Sequence, residues 1–102
     1  MHIVLCNCPP DKGIEIANAL VKEGLAACVN IIPAIQSVYL WDGEVCDETE
    51  ATLLIKVAAE RVSALRTRIL ALHPYDVPEV LVLPVDTDLS HGPYVEWVRG
   101  QS

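Results

Sequence analysis

Two cysteines and one histidine are the residues of this sequence whose types could form a soft-metal site. Cys6 and Cys8 flank Asn7 at the end of an apolar run, and His73 precedes Pro74 far along the chain. In an extended segment the two cysteine side chains point to the same side. Thiolates near an imidazole suit Cu(I) or Zn(II). The alternative is two small residues that pack a strand end beside a surface histidine, and these residues alone favour it.

The same groups could instead form a catalytic pair, in which His73 is the base for Cys6 or Cys8 and Asp76 orients the ring. Such an enzyme would need a thiolate at neutral pH. No Walker, nucleotide-binding or G-x-S-x-G pattern accompanies these residues. The loop after the first strand has Lys12 but no arginine to hold a phosphate. We therefore predict that the protein is not an enzyme.

Acidic and aromatic residues are the other side chains with chemical potential. Hard cations such as Ca²⁺ need about 6–8 oxygens held by a specific loop, and the spacing of the acidic stretch matches no such loop. We interpret this stretch as the solvated tip of a hairpin; it comprises Asp42, Glu44, Asp47, Glu48 and Glu50. Phenylalanine is absent, so every aromatic side chain carries a polar group, a type favoured where apolar surface meets water or another subunit. These residues are Tyr39, Trp41, Tyr75, Tyr94 and Trp97.

The elements that must position these residues follow from hydropathy and turn signals. The pattern predicts strands over 2–8, 27–32 resuming at 35–41, 44–57 and 80–85, and helices over 11–24, 60–72 and 90–98. Asp11 is the expected N-cap of the first helix and Gly24 its stop. Asp42-Gly43 between two extended runs is the strongest short hairpin signal. The order β-α-β-β-α-β plus a helix predicts an α/β (α+β) ferredoxin-like sandwich with an extended β2–β3 hairpin, as a single domain over 1–102.

Apolar side chains on both faces of this sheet indicate an oligomer. Two helices can cover only one face of a four-stranded sheet. Successive strand residues alternate between the faces, so the runs at 3–6 and 80–83 place apolar side chains on both. The uncovered face would be a larger apolar patch than a monomer normally exposes. We expect other copies of the chain to cover it, and the hairpin could pair with a neighbour's edge.

Charge and composition restrict the partners and the compartment. The net charge is -7, and the seven Lys and Arg residues form no block, so we predict no binding to nucleic acid or to an anionic membrane. No apolar run approaches the roughly 20 residues that span a bilayer. The first apolar run is too short for a signal peptide and has no basic lead. We therefore expect a cytoplasmic protein whose four cysteines are thiols.

A family resemblance runs through essentially the whole chain, in the right order. It rests on the segments 25–31, 32–33, 37–44, 54–56, 73–79 and 94–97. The H-P-Y-x-x-P-E segment that begins at His73 is specific when it accompanies A-A-C-V-N and Y-x-W-x-G. In these segments the sequence resembles the CutA-type divalent-cation tolerance proteins.

The resemblance implies a homotrimer packed like the PII-type signalling proteins, and a role in tolerance of copper and other divalent metals. In the family's copper-binding pattern, a cysteine on the first strand joins histidines before the P-Y dipeptide. Cys6 matches that cysteine, and His73 matches the histidine beside Pro74. The preceding position, a histidine in some members, is Leu72 here. Cys8 or a neighbouring subunit could supply the missing ligand, so the implied metal ligands are Cys6, His73 and Cys8.

A second hypothesis is a trimeric PII-like small-molecule sensor or interaction scaffold without direct metal chemistry. Its ligands would lie in clefts between subunits, in a pocket lined by Trp41, Tyr75 or Tyr94. Copper titration discriminates between the two. Stoichiometric binding lost in Cys6→Ser and His73→Ala variants supports the metal hypothesis, and weak or unaffected binding supports the sensor.

Overall fold

The computed structural model describes residues 1–101, and its strands and helices follow the predicted order. The elements are β1 (His2–Cys8), α1 (Gly13–Lys22), β2 (Cys28–Trp41), β3 (Glu44–Val57), α2 (Val62–Leu72), β4 (Leu81–Pro84) and α3 (Gly92–Gln101). Short 3₁₀ turns, Pro10–Lys12 and Ala59–Arg61, lead into α1 and α2. None of the helices in residues 1–101 is long and apolar enough to cross a membrane.

The four strands form one sheet in the order β2-β3-β1-β4, and every neighbouring pair is antiparallel. Helix α1 links β1 to β2 while β3 lies between them, and α2 links β3 to β4 while β1 lies between them. This is the predicted ferredoxin-like topology. The β2–β3 hairpin is also as predicted, and β4 is shorter than the predicted 80–85.

Turn residues explain the shape of the long hairpin. Asp42 and Gly43 have φ angles of 50° and 80°, which is the pair of positive values that a two-residue type I′ turn requires. Such a turn matches the twist of its flanking strands. The predicted break at Pro33 is a register irregularity between Ile32 and Ile35 within one continuous strand, because proline cannot donate to the ladder.

The ends of α1 test the two capping predictions. Gly24 has a φ of 71°, and its N–H donates to the Val21 carbonyl at 3.1 Å, so the predicted stop is confirmed. The predicted N-cap is wrong. Asp11 lies inside the 3₁₀ turn, and no side chain caps α1, which begins at Gly13. Pro10 fixes the backbone of this turn, whose own bond runs from the Lys12 N–H to the Pro9 carbonyl.

The two faces of the sheet have different surroundings. The core lies on the helix side, where strand residues pack against α1 and α2; its largest buried side chains include Val4, Leu53, Ile55, Ile16, Leu20, Leu65 and Ile69. On the opposite face Leu5 pairs with Leu54 and Leu81. Leu81 is 54% exposed, and Leu83 beside it is also exposed. Apolar side chains therefore lie on both faces, as predicted.

Candidate functional site

A cavity of about 860 Å³ lies between the β2–β3 hairpin and the loop that follows α2. The hairpin forms one wall of the cavity because it extends beyond the rest of the sheet. Its strands β2 and β3 have 14 residues each, whereas β1 has 7. The β1 pairing ends at Cys8 opposite Ala51, so β3 extends beyond it towards the turn. The loop contributes residues 74–77 and 79, and Asn7 contributes from the end of β1.

A chain of hydrogen bonds connects β1 to one wall of this cavity. The Thr52 hydroxyl donates to Oδ1 of Asn7 at 2.7 Å, and Nε2 of His73 lies 2.7 Å from the Asn7 carbonyl oxygen. The Tyr75 N–H donates to Nδ1 of His73 at 3.1 Å, and the Tyr75 hydroxyl donates to Oε2 of Glu50 at 3.0 Å. A carbonyl only accepts, so these partners assign the proton of His73 to Nε2 and leave Nδ1 as the acceptor.

Four carboxylates line the cavity, and none of its lining residues in 1–101 is lysine or arginine; the acidic ones are Glu48, Glu50, Asp76 and Glu79. Glu50 is only 7% exposed. Burial and the Glu50 charge raise the pKa of Glu79. Burial and the hydrogen bond to Glu50 raise the pKa of Tyr75. The cavity therefore has a negative field that disfavours additional negative charge.

Three aromatic side chains also line the cavity: Tyr39, Trp41 and Tyr75. The structure thus brings together, within one chain, Trp41 and Tyr75, two of the three residues suggested for a pocket between subunits. Tyr94 lies elsewhere, on α3, with its ring centroid 5.7 Å from that of Trp97. Burial and a contact with the Cys28 thiol raise the pKa of Tyr94.

Both cysteines of the predicted metal site lie in the core. Cys6 and Cys8 are fully buried on the helix side of β1, so the prediction that they point the same way is confirmed. Burial, with the charges of Cys8, Glu79 and Glu50, raises the pKa of Cys6 to about 12. Burial also raises the pKa of Cys8. Both groups are therefore protonated thiols at neutral pH, and neither is a ready nucleophile or anionic metal ligand.

His73 lies beside the part of β1 that carries these cysteines, because Nε2 of its ring bonds to the carbonyl oxygen of Asn7, the residue between them. Its two ring nitrogens are already occupied, by the Asn7 carbonyl and the Tyr75 N–H. Residues 1–101 contain no group of three or more His, Cys, Asp or Glu side chains placed to hold one metal ion. In this arrangement Cys6, Cys8 and His73 do not fit a copper ion, and the copper site stays a prediction.

The sequence interpretation missed the acidic wall. It assigned the stretch 42–50 to a solvated hairpin tip, which holds for Asp42 and Glu44 but is wrong for Glu50, which is buried. Glu48 and Glu50 are two residues apart on β3 and point to the same face with Cys46, and all three line the cavity. That period of two was the available signal, because it distinguishes one face of a strand from the other.

Comparison with known proteins places this chain in a family. Residues 2–101 match the family model described as CutA1 divalent ion tolerance protein. The divalent-cation tolerance protein CutA of Thermus thermophilus is 43% identical over 99 residues, covering 96% of this chain and 94% of the relative. The human protein CutA is 44% identical over 93 residues, which are 90% of this chain but 51% of the relative. This chain thus spans about half of the human protein.

A solved structure supports the same relationship in three dimensions. The PII-like protein CutA from Nostoc sp. PCC 7120, in apo form, has a TM-score of 0.95 to this chain at 44% identity. The match covers 99% of this chain and 96% of that chain. Both the sequence and the fold therefore agree over nearly the whole length.

Proposed function

This chain belongs to the CutA1 divalent ion tolerance family, and we propose that it acts as a homotrimeric small-molecule sensor of the PII-like kind. The observation that carries the proposal is the cavity of about 860 Å³ beside the β2–β3 hairpin. Ligand pockets commonly measure roughly 300–1,000 Å³ and combine apolar walls with a few polar groups. The aromatic rings and carboxylates of this cavity match that description.

Exposed apolar surface supports assembly of several copies of the chain, and the number three is the expectation from the family resemblance. The hairpin beyond β1 carries exposed apolar side chains, among them Val38, Leu40 and Val45. The edge strand β4 exposes Leu81 and Leu83. Both features are unfavourable in a monomer, because apolar surface and unpaired strand edges promote association. Copies of the chain that cover these surfaces would also stabilise the hairpin wall of the cavity.

A mass measurement and a ligand screen test this proposal together. Native mass spectrometry of the reduced protein is expected to show three copies, and a monomer at micromolar concentration would contradict it. For binding, a Trp97→Phe variant leaves Trp41 as the one tryptophan. Anionic, neutral and cationic small molecules are then titrated while Trp41 emission is followed. A saturating response that is lost on Glu50→Gln or Tyr75→Ala supports the cavity as the binding site.

Direct divalent-cation binding, with copper as the predicted ion, is the second candidate function. One observation favours it: the His73 ring bonds to Asn7, which lies between Cys6 and Cys8. Binding would require His73 to give up one of its two partners and the thiols to lose protons. Anaerobic titration with Cu(I) and Cu(II) tests it. One ion per subunit, abolished by Cys6→Ser and by His73→Ala, supports a metal role, and no uptake below micromolar concentration contradicts it.

Two further proposals concern chemistry and compartment. We propose that the chain has no catalytic activity, since the raised pKa of Cys6 disfavours a nucleophilic thiolate. We propose a cytoplasmic location, since all four cysteines are free and a reducing compartment keeps them so. The Arabidopsis thaliana relative is named as chloroplastic, so fractionation of the source cells is the deciding measurement. Recovery outside the cytoplasm would contradict the proposal.

A further inference from the structure

From the lining of the cavity we infer that its ligand is a small organic cation, such as an alkylammonium or guanidinium compound. The inference rests on the proposed function, because it assigns a chemical class to the ligand of the same cavity. Three features support it: a largely buried carboxylate with no cationic partner, a set of acidic groups of which no three are placed to hold one metal ion, and a set of aromatic rings.

The charge of Glu50 has no partner of opposite sign. Glu50 is nine-tenths buried, and the ion pairs within residues 1–101 join other residues: Lys12–Glu15, Arg68–Glu23 and Arg99–Glu96. A buried carboxylate is costly unless it is paired or hydrogen-bonded. The Tyr75 hydroxyl satisfies Oε2 of Glu50. Among the described residues the one buried side-chain nitrogen or oxygen without a partner is Nδ1 of His2, so Oε1 of Glu50 is open to the solvent of the cavity. A ligand donor can therefore replace water at Oε1.

The placement of the acidic groups on two sides of the cavity favours a polyatomic cation over a bare metal ion. Glu48 and Glu50 line the hairpin side of the cavity, and Asp76 and Glu79 line the loop side. No three of the described acidic, histidine or cysteine side chains converge on one metal position. Hard metal ions need several oxygens in direct contact. A cation whose charged groups are several bonds apart can meet carboxylates on both sides.

The aromatic residues of the cavity supply a second means of binding a cation. Tyr39, Trp41 and Tyr75 line the cavity, and Trp41 is 58% exposed in the single chain. Ammonium and guanidinium groups bind over aromatic faces, most strongly over tryptophan, and this attraction increases when the pair is desolvated. An anion would meet both the carboxylates and the negative ring faces. The walls of the cavity therefore select for positive charge.

The test uses agmatine, which carries a guanidinium and an ammonium group, against neutral 1,4-butanediol and anionic succinate. Emission of Trp41 is followed in the assembled Trp97→Phe protein at physiological salt. Agmatine is expected to bind, and Glu50→Gln is expected to weaken binding at least ~10-fold, as for loss of a charged hydrogen bond. Glu44→Gln is the matched control. It removes the same charge from the same strand outside the cavity and is expected to change binding by less than about twofold.

The remaining outcomes separate this inference from the proposed function. Equal weakening in the Glu44→Gln and Glu50→Gln variants would overturn the inference, because general electrostatic attraction would explain the binding. A response to butanediol or succinate but not to agmatine would also overturn it, while the cavity would remain the ligand site. No response to any probe, or to the wider screen, would overturn both proposals.

Discussion

Replacing Tyr75 by phenylalanine isolates the hydrogen bond that holds the buried carboxylate at the cavity. The Tyr75 hydroxyl lies 3.0 Å from Oε2 of Glu50. Phenylalanine retains the ring, whose centroid is 4.7 Å from that of His73, and the N–H that donates to Nδ1 of His73. The substitution therefore removes one donor and leaves the neighbouring contacts in place.

The expected loss follows from the charge and burial of the two partners. A hydrogen bond to a charged group contributes about 1.5–3 kcal/mol. Tyr75 is 37% exposed, so water can partly replace its hydroxyl, and we expect Tyr75→Phe to cost about 1–2 kcal/mol of unfolding free energy. In a Glu50→Gln background the acceptor is neutral, and the same change should cost about 0.5–1 kcal/mol. The difference, about 0.5–1 kcal/mol, is the coupling energy that the double-mutant cycle measures.

Urea unfolding followed by circular dichroism is the assay, because urea leaves ionic strength unchanged. All four proteins of the cycle are compared at one protein concentration, since assembly contributes to apparent stability. Tyr94→Phe is the control. The Tyr94 hydroxyl lies near the Cys28 thiol, a weak partner, and its loss should cost less than about 0.5 kcal/mol. The hydrogen bond from Tyr75 to Glu50 would lose its assigned role if Tyr75→Phe unfolded with the wild-type free energy. The same holds if the losses caused by Tyr75→Phe and Glu50→Gln were strictly additive.

Three further substitutions test other parts of the structure. The pKa of Cys6 is raised from 9.0 to about 12, so unfolding releases a proton at alkaline pH. Cys6 should therefore account for about 1 kcal/mol of lost stability between pH 8 and pH 10. Stability curves of Cys6→Ala with the same pH slope as wild type would contradict this. Gly43→Ala should lower the free energy of unfolding by about 1 kcal/mol, because φ is 80° at this turn position. Gly100→Ala in α3 is the control and should not lower it. Equal effects of the two substitutions in urea unfolding would contradict the turn. Leu81→Glu on β4 should dissociate the oligomer, as measured by light scattering. Leu89→Glu, at an 86% exposed loop position, is the control and should leave it assembled. An intact Leu81→Glu oligomer would show that β4 is not part of the interface.

Local signals explain which parts of the fold could be predicted. The bounds of β1 and β3 agree with the sequence prediction, because apolar alternation and the Asp42-Gly43 turn act over short distances. Gly24 ends α1 for the same reason. Asp11 failed as a cap because Pro10, its neighbour, favours a 3₁₀ turn that holds the aspartate outside the helix. Pro10 is evident in the sequence, but the sequence does not show whether a 3₁₀ turn or a helix capped by Asp11 is the more stable conformation.

The site depends on longer-range packing, and the sequence therefore predicted it only in part. The spacing of Cys6 and Cys8 placed both thiols on one face of β1, but the packing of α1 and α2 determined that this face is the core. Glu50 is buried because the loop carrying Tyr75 folds against the hairpin. Nothing within the acidic stretch itself indicates that approach. Amphipathic character suggested Trp41, Tyr75 and Tyr94 alike for a pocket between subunits. It did not indicate that Trp41 and Tyr75, without Tyr94, line a cavity within one chain.

Native mass spectrometry of the reduced protein, titrated in parallel with Cu(I) and with agmatine, tests the central claim most directly. If the cavity beside the hairpin is the functional site, the spectrum will show a trimer that takes up as many as three agmatine molecules and no stoichiometric copper. The Glu50→Gln trimer will take up less agmatine, and the Cys6→Ser trimer will behave as wild type. One copper ion per subunit, lost in Cys6→Ser, with no agmatine bound, would contradict the claim and assign the function to Cys6 and His73.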